Sequence, residues 1–110
     1  MNQDLDVKTQ VKNILKIVQE LAPGRAVELR IPPYAAIQCV EGGNHRRGIP
    51  PNAVEMGAET LISLLESPDQ WQLFCKSGAI SASGANSNLS KLFVQVSKLM
   101  YAEVRSENGK

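Results

Sequence analysis

The stretch Arg25 to Ile31 alternates strictly, with Val27, Leu29 and Ile31 facing one way and Glu28 and Arg30 the other. Successive side chains of a strand project to opposite faces, so this pattern predicts a strand that is dry on one side and wet on the other. The dry side needs a cover, and the rest of the chain has to supply it. Pro32-Pro33 interrupts the ladder because proline offers no N–H, and Tyr34 to Val40 resumes as a second strand. A link this short has no room for a crossover, so the two strands pair antiparallel.

The cover is helical. From about Asp4 to Leu21, Val7, Val11, Ile14, Leu15, Val18 and Leu21 recur at helical spacing while Lys8, Lys12 and Lys16 fall opposite, and Pro23-Gly24 stops the pattern. Glu41-Gly42-Gly43-Asn44 composes a turn, His45 to Pro51 is punctuated by Gly and Pro, and Asn52 to Met56 suits a short strand. A helix over Ala58 to Glu66 carries Leu61, Leu64 and Leu65 on one face, with Ile62 to one side. Ser67-Pro68-Asp69-Gln70 then supplies a capping hydroxyl, a proline for the first helical position, an acid for the first turn and a glutamine to close a capping box. This predicts a new helix bearing Trp71, Phe74 and Cys75 and ending at Gly78, before a strand of small residues, Ala79 to Ser83, with Ile80 inward. Asn86 to Asn88 can cap a last helix, Leu89 to Val104, whose core stripe is Leu92, Phe93, Val96, Leu99, Met100 and Val104, and Ser106 to Lys110 reads as a frayed polar tail. The order predicts one α+β domain over residues 1–110: a mixed sheet of about four to five strands with helices packed mainly on one face.

Composition narrows the function. Twelve basic against eleven acidic side chains leave a net charge of +1, so no whole-molecule field attracts a nucleic acid. Met1 to Val7 has neither a basic n-region nor an apolar core, and no apolar run approaches spanning length, so neither secretion nor membrane insertion is expected. Cys39 and Cys75, far apart, read as reduced thiols packed as small hydrophobes in a cytoplasmic protein. Cys39 lies mid-strand and the single histidine, His45, has no marked third partner, so no nucleophile and base are assigned. The same scarcity of ligands argues against a metal, and Gly42-Gly43 lacks the Lys-Ser/Thr of a phosphate loop. The expectation is a binding module with no catalytic residue, no metal and no cofactor.

Two upstream motifs, Ala22-Pro-Gly-Arg-Ala-Val-Glu-Leu-Arg-Ile-Pro-Pro-Tyr-Ala-Ala-Ile-Gln38 and His45-Arg-Arg-Gly-Ile-Pro-Pro-Asn-Ala-Val-Glu55, resemble the short bacterial branch of sterol carrier orthologues. Downstream, Leu61-Ile-Ser-Leu-Leu, Trp71, Leu73-Phe74, Gly78-Ala-Ile-Ser-Ala-Ser-Gly84 and Leu89 to Phe93 resemble the C-terminal half of the sterol carrier protein family. The resemblance implies a sheet and helices enclosing an apolar site for lipids or acyl chains. On that basis the expected function is noncatalytic binding or carriage of a hydrophobic or amphipathic small molecule. Leu61, Leu65, Trp71, Phe74, Ile80, Phe93 and Met100 would line the site, with His45 and Arg47 near its mouth. The loop His45-Arg46-Arg47-Gly48 suits a carboxylate or phosphate headgroup, or equally a solvated segment neutralised by Glu41 and Glu55.

A dry void of about 300 Å³ costs roughly 7 kcal/mol at about 24 cal/mol per Å³, against a total stability of about 5–15 kcal/mol. Any pocket must therefore be small, open to water, filled, or covered by another subunit. The last helix carries a second apolar stripe, Val94 and Tyr101, so the alternative function is an interaction or homodimerisation module that takes no ligand.

Overall fold

The computed structural model of the chain describes residues 3–42 and 52–108. The alternating segment forms β1 (Val27–Ile31), and β2 (Ala35–Cys39) returns antiparallel beside it, with Val27 opposite Cys39 and Leu29 opposite Ile37. Tyr34 belongs to the turn rather than to the strand: its N–H donates to the Ile31 carbonyl at 2.8 Å, and Pro32 and Pro33, joined by a cis peptide, fill the corner. β3 (Asn52–Met56) lies on the other side of β1 and runs parallel to it, and β4 (Ile80–Ser83) closes the sheet antiparallel to β3. The strand order is β2-β1-β3-β4, a four-stranded mixed sheet.

One sheet face is dry and one is wet, as the alternation in β1 requires. Val27, Leu29, Ile31, Cys39, Val54, Met56 and Ile80 are buried beneath the helices. The opposite face carries Glu28, Arg30, Glu55 and Ser81, and there Arg30 Nε meets Glu55 Oε1 at 3.1 Å and Arg30 Nη1 meets Glu28 Oε1 at 3.7 Å. Ion pairs this exposed contribute about 0–1 kcal/mol, so their main consequence is a sheet face that stays in water.

Four helices make the second layer. α1 (Gln3–Leu21) buries Val11, Ile14, Leu15 and Val18 and packs on β2. α2 (Ala58–Glu66) buries Leu61, Leu64 and Leu65; α3 (Trp71–Ser77) buries Trp71; and α4 (Ser90–Asn108) buries Phe93 and Val96. The Trp71 ring stacks on Phe93 with centroids 6.2 Å apart, and the Ser97 hydroxyl donates to the Leu65 carbonyl at 2.6 Å, tying α4 to the last turn of α2. α4 continues past Val104 to Asn108, so the helix takes in part of the segment expected to fray. Leu99 does not join the core stripe and is 51% exposed, because at 100° per residue it lies about 120° round the helix from Phe93. Leu21, in the last turn of α1, is likewise exposed.

The junctions explain the remaining differences. Ser67 makes no side-chain cap. Its N–H already closes α2 by donating to the Ser63 carbonyl at 2.9 Å, and the chain then takes a 3-10 turn, Pro68–Gln70, before α3 begins. Gly78 ends α3 in the left-handed conformation at φ 88°, where a Cβ is disfavoured. Between α1 and the sheet, Val40 N–H donates to the Ala22 carbonyl at 2.7 Å and Ala26 N–H donates to the Val40 carbonyl at 2.9 Å. Gly24 sits over that stitch at φ 145°, where a Cβ would fall 2.2 Å from the Val40 carbonyl oxygen. Asn52, buried at the start of β3, donates through Nδ2 to the Ala26 carbonyl and accepts from Asn86 N–H through Oδ1, both at 2.9 Å. Asn88 Oδ1 accepts from Ser90 N–H at 2.9 Å and so caps α4.

Candidate functional site

A cleft opens on the helical layer where α1, α2 and α4 meet. α1 contributes Gln10, Asn13 and Ile14, α2 contributes Ile62, Leu65 and Glu66, and α4 contributes Met100 and Tyr101. On both α1 and α2 the spacing is i, i+3, i+4, which places three side chains on one helical face. The Ser97 bond to Leu65 fixes the third wall, because it sets the position of α4 one turn before Met100. The cleft holds about 240 Å³, just under the roughly 300 Å³ at which small-molecule sites begin, and it is open to solvent on one side. A site of this size avoids the cost of a large dry void.

Its lining is graded from apolar to polar. Ile14 and Leu65 are buried and form the floor; Ile62, Met100 and Tyr101 are half-buried walls; Gln10, Asn13 and Glu66 are exposed at the rim. Desolvation, and after it the negative charge of Glu66, raises the Tyr101 phenol above its ordinary value. Tyr101 is therefore a neutral hydroxyl at physiological pH, able to donate and accept. Among the described residues no basic side chain lines the cleft. A wider and shallower depression of about 550 Å³ lies on the wet sheet face beside the Pro32-Pro33 turn, where Arg30 is already ion-paired to Glu55. It lacks a buried apolar floor.

A family model described as bacterial SCP (sterol carrier protein) orthologue matches residues 4–94. The chain belongs to this family. Among the solved structures to which the chain is similar is a ubiquinone synthesis protein, UbiJ-SCP2, with a TM-score of 0.48, 13% sequence identity, and coverage of 86% of this chain and 88% of that one. Among curated proteins, none matches it.

In this sterol carrier orthologue, two of the residues expected to line a site, Leu65 and Met100, meet in the cleft. Leu61, Trp71, Ile80 and Phe93 are packed in the core instead, where their neighbours are other buried side chains, and Phe74 is half-buried on α3. His45 and Arg47 lie outside the described residues. Gln10, Asn13, Ile14, Ile62, Glu66 and Tyr101 line the cleft although sequence reasoning did not assign them to a site. Only Tyr101 carried a signal, as part of the second apolar stripe of α4. The polar three, Gln10, Asn13 and Glu66, resemble any solvated helix residue until α1, α2 and α4 are seen together.

Cys39 is fully buried, and burial pushes its thiol up to about 11. A thiol held protonated in this way is a packing group rather than a nucleophile. Cys75 is also free, and no group of three or more His, Cys, Asp or Glu side chains is placed to hold a metal ion among the described residues. No helix among those residues is long and apolar enough to cross a membrane.

Proposed function

We propose that this protein binds or carries a hydrophobic or amphipathic small molecule without catalysing its conversion, as a cytoplasmic carrier, and that the α1–α2–α4 cleft is where the ligand sits. The observation supporting this most is the grading of the cleft, from a buried Ile14–Leu65 floor to a Gln10–Asn13–Glu66 rim, which suits a ligand with an apolar end and a polar end. Membership of the bacterial sterol carrier orthologues supports the ligand class. At about 240 Å³ the cleft has space for roughly eight water-sized groups, so a short chain fits entirely and a longer one leaves part of itself outside. Native mass spectrometry of freshly purified protein is expected to show a monomer with a lipid-sized adduct that leaves on mild activation. A clean, ligand-free dimer would contradict the reading.

That second outcome has its own support. Leu73 is 57% exposed and Leu99 51% exposed, and a second copy of the chain could cover either. The function would then be homodimerisation, with no ligand.

A further inference from the structure

We infer that the cleft selects its ligand by headgroup charge, favouring amphiphiles whose head is cationic or a hydrogen-bond donor over carboxylates of the same chain length. This rests on the binding role proposed above for the same cleft and adds the chemistry of the head.

The rim is electrostatically one-sided. Among the described residues Glu66 is the only charged side chain in the lining, and its neighbours there, Gln10, Asn13 and Tyr101, are neutral. Glu66 is also the last residue of α2, and the last turn of that helix holds no basic residue. The C-terminal end of a helix carries about half an elementary negative charge, so the carboxylate and the helix end add at one point of the rim. The field of Glu66 reaches into the cleft, since it is one of the two causes that raise the Tyr101 phenol.

Among the described residues, the neighbouring cations stand outside the lining while Glu66 stands in it. Taking 100° per residue, Lys8 and Lys12 of α1 lie about 100° or more round the helix from Gln10, Asn13 and Ile14, whereas Lys16 lies about 60° from Asn13, one turn further on, exposed and outside the lining. On α4, Lys98 lies about 60° and Lys91 about 80° from Tyr101, both far round from Met100, and both are exposed and outside the lining. A carboxylate head entering this rim would meet Glu66 directly, while the described cations stand outside the lining. An ammonium head would meet the Glu66 carboxylate as well as the amide and phenol oxygens; the amide N–H and phenol O–H groups can donate to a carboxylate or hydroxyl head, so Glu66 alone discriminates by charge. The apolar floor is common to both ligands, so the head alone decides between them.

Octanol, octylammonium and octanoate share a chain that the cleft can hold and differ only in the head, and their binding can be followed by calorimetry on the full chain. Octylammonium is expected to bind about tenfold tighter than octanoate at low salt, with octanol between, and the spread should shrink between about 0.02 M and about 0.5 M salt. Glu66→Gln, at an exposed position, should bring octylammonium and octanoate to within about twofold of each other, with octanol changing least of the three, and Glu66→Lys should reverse the order of the two charged ligands. Equal binding of all three, tightest binding of octanoate, or an unchanged spread in both variants would overturn the headgroup inference and leave carriage standing. Failure of all three to bind would overturn carriage itself, and the inference with it.

Discussion

Replacing Asn52 with alanine removes both hydrogen bonds that join three separate parts of the chain. The side chain is 4% exposed, its Nδ2 donates to the Ala26 carbonyl just before β1, and its Oδ1 accepts from Asn86 N–H in the loop leading to α4. Alanine leaves a carbonyl and an N–H without these partners, and each buried group so stranded costs about 1–3 kcal/mol. With partial access of water to the Asn86 side, the sum is about 2–4 kcal/mol, a large part of the roughly 5–15 kcal/mol available to a domain. Urea unfolding followed by Trp71 fluorescence measures it: at a slope of about 1–3 kcal/mol per molar, the midpoint should fall by about 1–2 M with the slope unchanged. Asn52→Asp should be no better, because it keeps the acceptor for Asn86 but turns a charged oxygen toward the Ala26 carbonyl. As a surface reference, Asn88→Ala removes an exposed cap on α4 and should cost about 1 kcal/mol. A loss below about 0.5 kcal/mol for Asn52→Ala, or wild-type stability for Asn52→Asp, would refute the assignment of Asn52 as the tie between β1, β3 and α4.

Two further predictions concern stability. Burial raises the Cys39 thiol from an ordinary 9.0 to about 11, so the folded chain holds a proton that the unfolded chain releases. The resulting stability is whole below pH 9.0 and is lost as the pH rises through about 11. At about 1.4 kcal/mol per pH unit, wild type should lose about 2 kcal/mol more than Cys39→Val between neutral pH and about pH 10.5 in urea titrations, and parallel losses would contradict the burial argument. Gly24→Ala should destabilise by more than about 1 kcal/mol in the same assay, since the new Cβ meets the Val40 carbonyl oxygen at φ 145°, and a neutral result would show that the α1–β2 junction yields.

Most of the fold can be read from local patterns, because a strand or helix with one buried face writes its period into the sequence. The alternation at Val27, Leu29 and Ile31 locates β1 and its dry side, and the leucines of α2 give that helix its bounds. Family membership follows from the motifs on either side of the Gly-rich turn. Local patterns fail where one backbone group has two suitors: Ser67 has every feature of a cap, yet its N–H is committed to closing α2 and the chain turns before α3. They fail again at Leu99, where apolar identity suggested burial and helical phase sets it outside. The site is less legible than the fold. Aromatic and large aliphatic residues such as Trp71 and Phe93 attract attention as pocket linings, but they are the side chains most needed to fill a small core. The cleft is instead made where three helices diverge, by residues whose nearness depends on α1 packing against α4 across most of the chain's length.

The central claim is that the α1–α2–α4 cleft takes an apolar chain. Two-dimensional amide NMR of isotopically labelled protein, titrated with octanol, tests it most directly. The largest shift changes should fall on Ile14, Ile62, Leu65, Met100 and Tyr101, and Ile62→Trp, whose indole fills the cleft from a half-buried wall, should abolish them while the protein remains folded. Saturable changes centred elsewhere, on the wet sheet face or around Leu73, or octanol binding undiminished in Ile62→Trp, would contradict the account.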